Sequence, residues 1–309
     1  MPGSTFDGSL HVSPDNLNAK LKKRLQQEAI LLLPGASNAL GARIIEDIGF
    51  EAVYVSGAGI ANTYLGMPDV GLVTLTELVD HVATIRDAVG LPLIVDVDTG
   101  FGNALNVQRT VRLLERSGAN AIQIEDQVTP KRCGHFDDKE VIAKEEMVQK
   151  IRAATDARND DDFTIIARTD ARAVLGFEEA VERVTAYAEA GADVTFLEAP
   201  QSLEEMAAVP KMGRGPQVVN TVEGGRTPMV DVAELEKMGF SIALYANVSL
   251  QGAIRGMKKV LGHLHEHGSI SRVLDDDIAR WDERQRMVRK PAFDELEKKY
   301  TVNEQLRRG

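Results

Sequence analysis

Short apolar segments alternate with amphipathic helical patterns along most of this chain. Between most of these segments, apolar residues recur with the 3.6-residue period of a helix, as they do over residues 75–89. The alternation predicts a closed (β/α)8 TIM-type barrel, with a doubly wound open sheet as the alternative. No G-x-G-x-x-G follows the first segment, which disfavours the open sheet. The eight strand-like segments lie near 30–33, 52–55, 93–97, 121–124, 163–167, 193–197, 217–219 and 241–244.

The two ends of the chain depart from this alternation. Residues 1–15 are rich in Gly, Ser and Pro and predict a loose tail. Residues 266–309 predict a charged helical extension of a single barrel domain that spans 1–309. The extension carries apolar stripes, and either its own barrel or a neighbouring subunit would have to cover them. The stripes consist of Leu274, Ile278 and Trp281, and of Phe293, Leu296 and Tyr300.

Composition narrows the range of partners and compartments. The 309 residues carry a net charge of −11, and no basic tract is interleaved with aromatic residues, so neither nucleic acid nor a membrane surface is expected as a partner. No apolar run reaches the roughly 18 residues of a spanning helix, and the start lacks a signal-peptide pattern, which predicts a cytoplasmic protein. The single cysteine, Cys133, excludes an intrachain disulfide and is either an inert core residue or a reactive one.

Two carboxylates end the third apolar segment. Asp96 and Asp98 are two residues apart, so on a continued strand they would share one face, with roughly 7 Å between their Cα atoms. This spacing suits Mg²⁺, which keeps several waters and accepts one or two direct carboxylates. The alternative is that the pair caps the helix predicted near Asn103.

Polar residues follow nearly every apolar segment, not only the third. In a parallel barrel the carboxyl ends of the strands meet on one face, where barrel enzymes place their chemistry, although helix capping accounts for some of these residues. The sequence therefore predicts one polar site at this face. The residues are Ser56, Asp96 with Asp98, Glu125, Arg168 with Asp170, Glu198, Asn220 and Asn247.

An unusually long interval separates the fourth and fifth segments, exceeding its neighbours by about a dozen residues. It predicts a lid loop over 127–141 that contains Lys131-Arg132-Cys133-Gly134-His135. Positive neighbours favour the thiolate, so Cys133 could act as nucleophile or proton donor; the alternative is a solvated basic loop. Together with Arg168, these cations in an acidic protein indicate a small-molecule substrate with two or more carboxylates.

Six motifs, in the correct order over roughly residues 30–265, resemble the isocitrate lyase and phosphoenolpyruvate mutase superfamily. The most similar branch is that of 2-methylisocitrate lyase and 2,3-dimethylmalate lyase. The cysteine loop is specific to the carbon–carbon lyases, and the mutases and hydrolases that act on phosphonopyruvate lack it. The motifs are Tyr54-Val55-Ser56-Gly57-Ala58-Gly59, Gly66-Met67-Pro68-Asp69-Val70-Gly71, Asp96-Val97-Asp98-Thr99-Gly100-Phe101-Gly102, Gln123-Ile124-Glu125-Asp126-Gln127, Lys131-Arg132-Cys133-Gly134-His135 and Ala167-Arg168-Thr169-Asp170.

The resemblance implies a Mg²⁺ site, with Mn²⁺ as an alternative ion. Asp96 would be the nearest protein ligand, Asp98 and Glu125 would hold the metal's waters, and Asp69 would help to position this shell. The resemblance also implies exchange of the eighth helix between subunits of a dimer of dimers, and thus a homotetramer.

The resemblance further implies cleavage of a 2-hydroxy di- or tricarboxylate to an α-keto acid, such as pyruvate, and a second carboxylic acid. Cys133 would protonate the carbanion. The substrate would be bound by Ser56, Gly57, Ala58, Arg168, Glu198 and Asn220, and the catalytic loop and its proton network would involve Lys131, His135, Glu125 and Glu198. For Asn220, helix capping is the alternative.

Three departures from the branch fall near the end of the pocket that recognises the second product. They are Ala58, Phe136-Asp137-Asp138 and Tyr245-Ala246-Asn247. Substrate identity therefore stays open. The other functions to weigh are an oxaloacetate decarboxylase or hydrolase, a phosphonopyruvate-type P–C enzyme, and a non-catalytic barrel that binds keto acids.

Overall fold

The computed structural model describes residues 16–132, 139–271 and 277–301. Its eight strands are β1 (Leu31–Ala36), β2 (Val53–Val55), β3 (Leu93–Asp96), β4 (Ala121–Glu125), β5 (Thr164–Thr169), β6 (Val194–Leu197), β7 (Gln217–Asn220) and β8 (Ile242–Tyr245). Each of the eight predicted segments overlaps one of these strands.

Helices connect the strands and continue beyond them. They are α1 (Leu17–Leu25), α2 (Ala39–Ile48), α3 (Gly57–Ile60), α4 (Leu75–Ala88), α5 (Ala104–Arg116), α6 (Lys144–Ala157), α7 (Ala171–Val174), α8 (Phe177–Glu189), α9 (Leu203–Met212), α10 (Val232–Met238), α11 (Val248–His267), α12 (Trp281–Met287) and α13 (Lys290–Tyr300). A single π-helical turn, Ala61–Leu65, follows α3.

The strands form a closed parallel barrel in sequence order, β1 to β8, and β1 completes the ring by pairing with β8. The predicted (β/α)8 barrel is therefore confirmed, and the doubly wound alternative is wrong. Alternate strand residues fill the interior, because successive side chains of a strand point to opposite faces. Among them are Leu33, Tyr54, Ile94, Phe196 and Ile242. The opposite faces of the strands pack against the helices in two further apolar clusters.

Helix starts are set by local capping. Thr74 and Glu77 form a reciprocal capping box at the start of α4. Asn103 caps α5 by accepting hydrogen bonds from the N–H groups of Leu105 and Asn106. Since Asn103 itself does this, the alternative that Asp96 and Asp98 cap this helix is wrong.

The chain divides into two compact units, and the barrel lies in the unit 14–250. In the other unit, α12 and α13 bury none of their residues, and Trp281 and Tyr300 are 71% and 70% exposed. No residue of α11, which crosses the boundary, is buried either. The predicted tail at 1–15 and Leu274 of the first apolar stripe lie outside the described residues. No helix in the described ranges has the length and apolarity needed to cross a membrane.

Candidate active site

Polar side chains gather at the carboxyl ends of neighbouring barrel strands. Asp96 and Glu125 end β3 and β4, and Glu125 lies opposite Arg168 of β5 in the strand register. Glu198 follows β6, and Asn220 ends β7. The face predicted from the polar residues after each apolar segment thus exists, since strands of a parallel barrel end on the same side.

Asp98 is placed differently from the sequence-based expectation. β3 ends at Asp96, and Asp98 lies beyond it in a left-handed turn with φ 48°. The expectation that both carboxylates extend from one strand face is therefore wrong. The turn nevertheless keeps them close, because the Asp98 N–H donates to Asp96 Oδ1 at 3.2 Å.

Gly57 borders both carboxylates. A Cβ atom at Gly57 would lie 3.3 Å from Asp96 Oδ2 and 3.5 Å from Asp98 Oδ1. A longer side chain would therefore crowd the two carboxylates. With glycine at this position, the space beside the two carboxylates stays open.

Lys131 inserts its ammonium among the carboxylates. Its Nζ lies 2.6 Å from Asp69 Oδ1 and 2.8 Å from Asp98 Oδ1, and its side chain is 5% exposed. Burial disfavours the charged form, but the carboxylates of Asp98 and Glu125 outweigh burial and raise the pKa of Lys131 well above its ordinary value. Burial raises the pKa of the Asp98 carboxyl to about 6, and Lys131 limits the rise. Lys131 therefore stays protonated, but its single positive charge does not fully balance the negative charge of the neighbouring carboxylates.

Arg168 is the second cation of the site. Its Nε and Nη2 donate to Asp170 Oδ2 and Oδ1 at 2.9 and 3.1 Å. The same guanidinium lies 3.4 Å from Glu125 Oε2 and 3.6 Å from Glu198 Oε2, and it stands 5.2 Å from the centroid of the Phe196 ring. Burial opposes its charge, yet Asp170 and Glu198 raise the pKa of Arg168 well above its ordinary value. The surrounding acids therefore hold the plane of the guanidinium in one orientation.

Several buried polar atoms at this face have no hydrogen-bond partner among the described residues. They are Glu125 Oε1, Asn220 Oδ1 and Gln123 Nε2. An unpaired buried polar group costs about 1–3 kcal/mol, so such atoms indicate places that a ligand or water occupies. Asn220 Nδ2 donates to Glu198 Oε1 and Oε2 at 3.4 Å, which favours a role in the site over helix capping.

Gln123 is a site residue that the sequence analysis missed. It lies two residues before Glu125 on β4 and therefore on the same face of the strand. Its Oε1 accepts a hydrogen bond from the Tyr54 hydroxyl at 3.0 Å, so the amide nitrogen is the end left without a partner. A polar residue inside an apolar strand segment was the available signal.

Ser56 both caps a helix and borders the site. Its Oγ accepts from the Gly59 N–H at 3.0 Å and donates to Asn247 Oδ1 at 3.1 Å. The capping interpretation therefore holds for this one residue. Gly57 and Ala58 follow it as the first residues of α3.

Buried ion pairs hold Asp170, the main partner of Arg168. Lys139 Nζ lies 2.9 Å from Asp170 Oδ1, and both side chains are almost fully buried. Burial opposes the charge of Asp170, but Arg168 and Lys139 overcome it and lower the pKa of Asp170 to about 2. Neighbouring Asp126 accepts hydrogen bonds from Thr169, Arg183 and Tyr187. The sequence did not show the pairings of Lys139 and Asp126, because their partners lie 31 to 61 residues away along the chain.

Replacing Asp170 with asparagine is expected to lower the free energy of unfolding at pH 7 by about 2 to 3 kcal/mol, the equivalent of its pKa depression. A depressed carboxyl pKa contributes stability above the unfolded-state pKa near 3.8, and this contribution is lost as pH falls toward 2. The difference from wild type should therefore narrow below about pH 4. Urea unfolding of both proteins at pH 7, 5 and 3 measures this difference in the free energy of unfolding.

Asp231→Asn is the matched control, since this exposed carboxylate makes no capping hydrogen bond. It should change stability by less than about 0.5 kcal/mol at every pH. A difference between Asp170→Asn and wild type that stays constant down to pH 3 would contradict the assignment.

Two predicted residues of the loop, Cys133 and His135, lie outside the described residues. The chain leading to them is held by Gln127, whose Oε1 accepts from the Arg132 N–H and whose Nε2 donates to the Arg132 carbonyl, both at 2.9 Å. Arg132 itself is exposed. Of the predicted cations, Lys131 and Arg168 thus contact the acids of the site.

The donor set fits a hard divalent cation. Asp69, Asp96, Asp98 and Glu125 supply only carboxylate oxygens, and one of these, Glu125 Oε1, is buried without a partner. Within the described ranges, no three His, Cys, Asp or Glu side chains converge tightly enough to enclose an ion by themselves. Mg²⁺ does not require such a cage, because it retains several waters and takes one or two direct carboxylates.

Comparison with known proteins decides the family. A family model described as phosphoenolpyruvate phosphomutase matches residues 21–265. A 2,3-dimethylmalate lyase crystal structure, described as a member of the PEP mutase/isocitrate lyase superfamily, matches with a TM-score of 0.86 and 33% identity, covering 92% of this chain and 95% of that one. The chain belongs to the PEP mutase/isocitrate lyase superfamily. The resemblance inferred from the six motifs is thus confirmed.

Two relatives that are named as lyases are similar to this chain over most of its length. A 2,3-dimethylmalate lyase from Eubacterium barkeri is 46% identical over 260 residues, 84% of this chain and 90% of the relative. A 2-methylisocitrate lyase from Aeropyrum pernix is 46% identical over 255 residues, 82% of each chain.

Two further solved structures, both with bound ligands, are similar to this chain. Oxaloacetate acetylhydrolase with 3,3-difluorooxalacetate has a TM-score of 0.86 at 34% identity, covering 91% of this chain and 96% of that one. Phosphonopyruvate hydrolase with oxalate and Mg²⁺ has a TM-score of 0.83 at 31% identity, covering 92% and 99%. The fold is thus common to lyases and hydrolases.

Proposed function

We propose that this protein is a Mg²⁺-dependent carbon–carbon lyase that cleaves a 2-hydroxy di- or tricarboxylate resembling 2-methylisocitrate or 2,3-dimethylmalate. The products are an α-keto acid, such as pyruvate, and a second carboxylic acid. The observation that carries the proposal is the grouping of Asp96, Asp98 and Glu125 with two buried cations, Lys131 and Arg168, at the carboxyl ends of the strands. The names of the two relatives at 46% identity support it.

In this proposal Asp96 is the nearest protein ligand of Mg²⁺, and Asp98, Glu125 and Asp69 hold its surrounding waters. When bound, the ion would stabilise negative charge that develops on the substrate oxygens. The residues are hard oxygen donors, and a glycine at position 57 keeps the space beside two of them open. Mn²⁺ prefers the same donors and is the expected substitute.

The other side chains would bind the substrate and move its protons. Ser56, Gly57 and Ala58 bind the carboxylate of the α-keto-acid half, and Arg168 binds the oxygen beside it. Glu198 and Asn220 face the second half.

Cleavage releases the alcohol proton to the carboxylate cluster and breaks the C–C bond, so that the electron pair stays on the carbon beside the second carboxylate. Cys133 then gives its thiol proton to that carbon. Lys131, His135, Glu125 and Glu198 orient the loop and its proton network.

A substrate panel tests this proposal. Methylisocitrate, isocitrate, dimethylmalate, citramalate, oxaloacetate and phosphonopyruvate are each incubated with Mg²⁺ and with a chelator, and products are followed by NMR. We expect one 2-hydroxy acid to yield an α-keto acid and a second carboxylic acid with Mg²⁺ only. The absence of product from every hydroxy acid, despite binding of pyruvate, would instead indicate a non-catalytic barrel.

The second candidate is an oxaloacetate-cleaving hydrolase, favoured by the similarity to oxaloacetate acetylhydrolase at a TM-score of 0.86. In the same panel it would release oxalate and acetate from oxaloacetate. Release of CO₂ or phosphate would indicate a decarboxylase or a P–C enzyme.

Metal binding predicts a specific change in thermal stability. Mg²⁺ at 100 times its Kd should raise the free energy of unfolding of the wild type by about 2.7 kcal/mol. Asp98→Asn should lose this increase. Without metal it should melt at or above the wild-type Tm at pH 7, because burial disfavours the Asp98 carboxylate. Differential scanning calorimetry with and without Mg²⁺ checks both statements.

Asp231→Asn serves again as the control and should retain the full Mg²⁺ increment. An Asp98→Asn variant stabilised by Mg²⁺ as much as wild type would contradict the assignment of Asp98 to the metal shell.

We also propose a cytoplasmic homotetramer, a dimer of dimers that exchanges the helix α11 between subunits, with 1–309 acting as one barrel domain plus its extension. The exposed apolar side chains of α11 to α13 support an interface there. Light scattering after size exclusion should give four times the 33.7 kDa chain mass.

A further inference from the structure

The turn that carries Asp98 has an unusual backbone. Four of its residues have positive φ, namely Asp98 (48°), Gly100 (87°), Phe101 (61°) and Gly102 (143°). Glycine adopts such conformations readily, but Asp98 and Phe101 do so only at an energetic cost. Contacts from outside the turn must therefore hold this backbone in place.

Each carbonyl from residue 97 to residue 100 accepts a hydrogen bond. The carbonyls of Val97 and Asp98 accept from the backbone N–H groups of Gly100 and Glu125, both at 2.9 Å. The next two accept from side chains of the outer helices. Thr110 Oγ1 of α5 donates to the Gly100 carbonyl at 3.2 Å, and Lys150 Nζ of α6 donates to the Thr99 carbonyl at 3.1 Å.

Lys150 is an uncommon choice for its position. Its side chain is on the buried face of α6, beside Met147, Ile151 and Ala154, and the residue is 3% exposed. Across the described chain its ammonium donates this one hydrogen bond and has no carboxylate within 4.0 Å. Burial disfavours the charged ammonium and lowers the pKa of Lys150, and the Glu146 carboxylate on the same helix offsets this effect only in part. Methionine would fill the same volume without that cost. Stability of the helix packing therefore does not account for a lysine here.

Thr99, the residue that Lys150 holds, is bonded to a second segment as well. Its hydroxyl lies 2.7 Å from the hydroxyl of Thr129, in the segment that leads from β4 to Lys131. Thr99 directly follows Asp98, and Lys131 forms an ion pair with Asp98. Lys150 thus bonds the residue that joins the Asp98 turn to the segment leading to Lys131.

We propose that Lys150 is a positioning residue that holds the Asp98 turn in its left-handed conformation and so sets the affinity of the site for a divalent cation. The inference rests on the metal site proposed above. Lys150 acts through the Thr99 carbonyl and touches neither substrate nor metal. Thr110 supports the same turn through its hydrogen bond to the next carbonyl, that of Gly100.

Mn²⁺ binding, measured by electron paramagnetic resonance on the full-length protein, tests this role. Lys150→Met is expected to raise the Kd for Mn²⁺ by about 10- to 100-fold, the usual effect of removing an outer partner of a metal ligand. Thr110→Val, which removes the other side-chain hydrogen bond to the turn, should raise Kd by a smaller factor. Lys144→Met on the same helix, where an exposed ion pair with Glu182 is lost, should leave Kd within about twofold.

The outcomes separate this inference from the proposed metal site. A wild-type protein that does not bind Mn²⁺ would overturn both. If the wild type binds Mn²⁺ and a folded, cooperatively melting Lys150→Met variant binds it with the same Kd, only the role of Lys150 is overturned. This holds even if the Tm of the variant is lower than that of the wild type. Should Lys150→Met fail to fold, Thr110→Val decides, and an unchanged Kd in that variant overturns the inference.

Discussion

Cys133→Ser is expected to lower kcat by about 10²- to 10⁴-fold, the usual contribution of a positioned general acid. A serine hydroxyl is a far weaker acid than a thiol, so it cannot deliver a proton to the carbanion at the same rate. Two cationic residues precede Cys133 in the sequence, and the first of them, Lys131, lies among the acids of the site. Positive neighbours lower the pKa of a thiol and make it a better proton donor.

Steady-state kinetics on the substrate identified by the panel measures kcat, and calorimetry measures the binding of Mg²⁺ and pyruvate. Both ligands should bind Cys133→Ser as they bind wild type, since the metal shell and the keto-acid half do not involve the thiol. Val128→Ala, in the same connection between β4 and α6, should stay within about twofold of wild-type kcat. Unchanged turnover in Cys133→Ser would exclude this residue as the proton donor.

Arg168→Lys is expected to lower kcat/KM by about 10³-fold although the positive charge remains. The guanidinium makes two parallel hydrogen bonds to Asp170 and lies within 3.6 Å of Glu125 and Glu198, a planar arrangement that a single ammonium cannot reproduce. Because Arg168 links acids at the carboxyl ends of three strands, its loss should also misplace Glu125 relative to the metal.

Arg158→Lys provides a matched control. Arg158 donates to Asp193 at 2.9 Å and to the Phe163 carbonyl at 3.0 Å, so the same change is made in a bonded arginine away from the acid cluster. It should leave kcat/KM within about threefold. A comparable loss of kcat/KM in both variants would show that Arg168→Lys acts through folding. Thermal melts of Arg168→Lys and wild type that coincide by circular dichroism would exclude an effect on folding.

The barrel was predictable because its signals are local. Apolar segments with a strand's length and helical stretches with a 3.6-residue period occur in each βα unit, and eight repeats leave few other architectures. The site's location followed from the same pattern, since Glu125, Arg168 and Asn220 each end or border a strand. The family motifs then indicated which acids are candidates for holding metal.

The fine geometry of the site was not predictable in the same way. Asp98 was expected on a strand face, but β3 stops at Asp96, because the turn after it is held by hydrogen bonds from Glu125, Thr110 and Lys150. These partners lie between 10 and 51 residues along the sequence from the carbonyls that accept their hydrogen bonds. No local pattern reports them.

Short-range patterning along the chain was therefore enough to specify the closed barrel and the ring of polar groups at its carboxyl face. Which groups pair within that ring depended on the folded chain. Lys131 with Asp69, Tyr54 with Gln123, and Lys139 with Asp170 are pairs that form because barrel closure brings different βα units together. Burial at these contacts then determines the charge and orientation of each group, and burial exists only once the helices have packed around the strands.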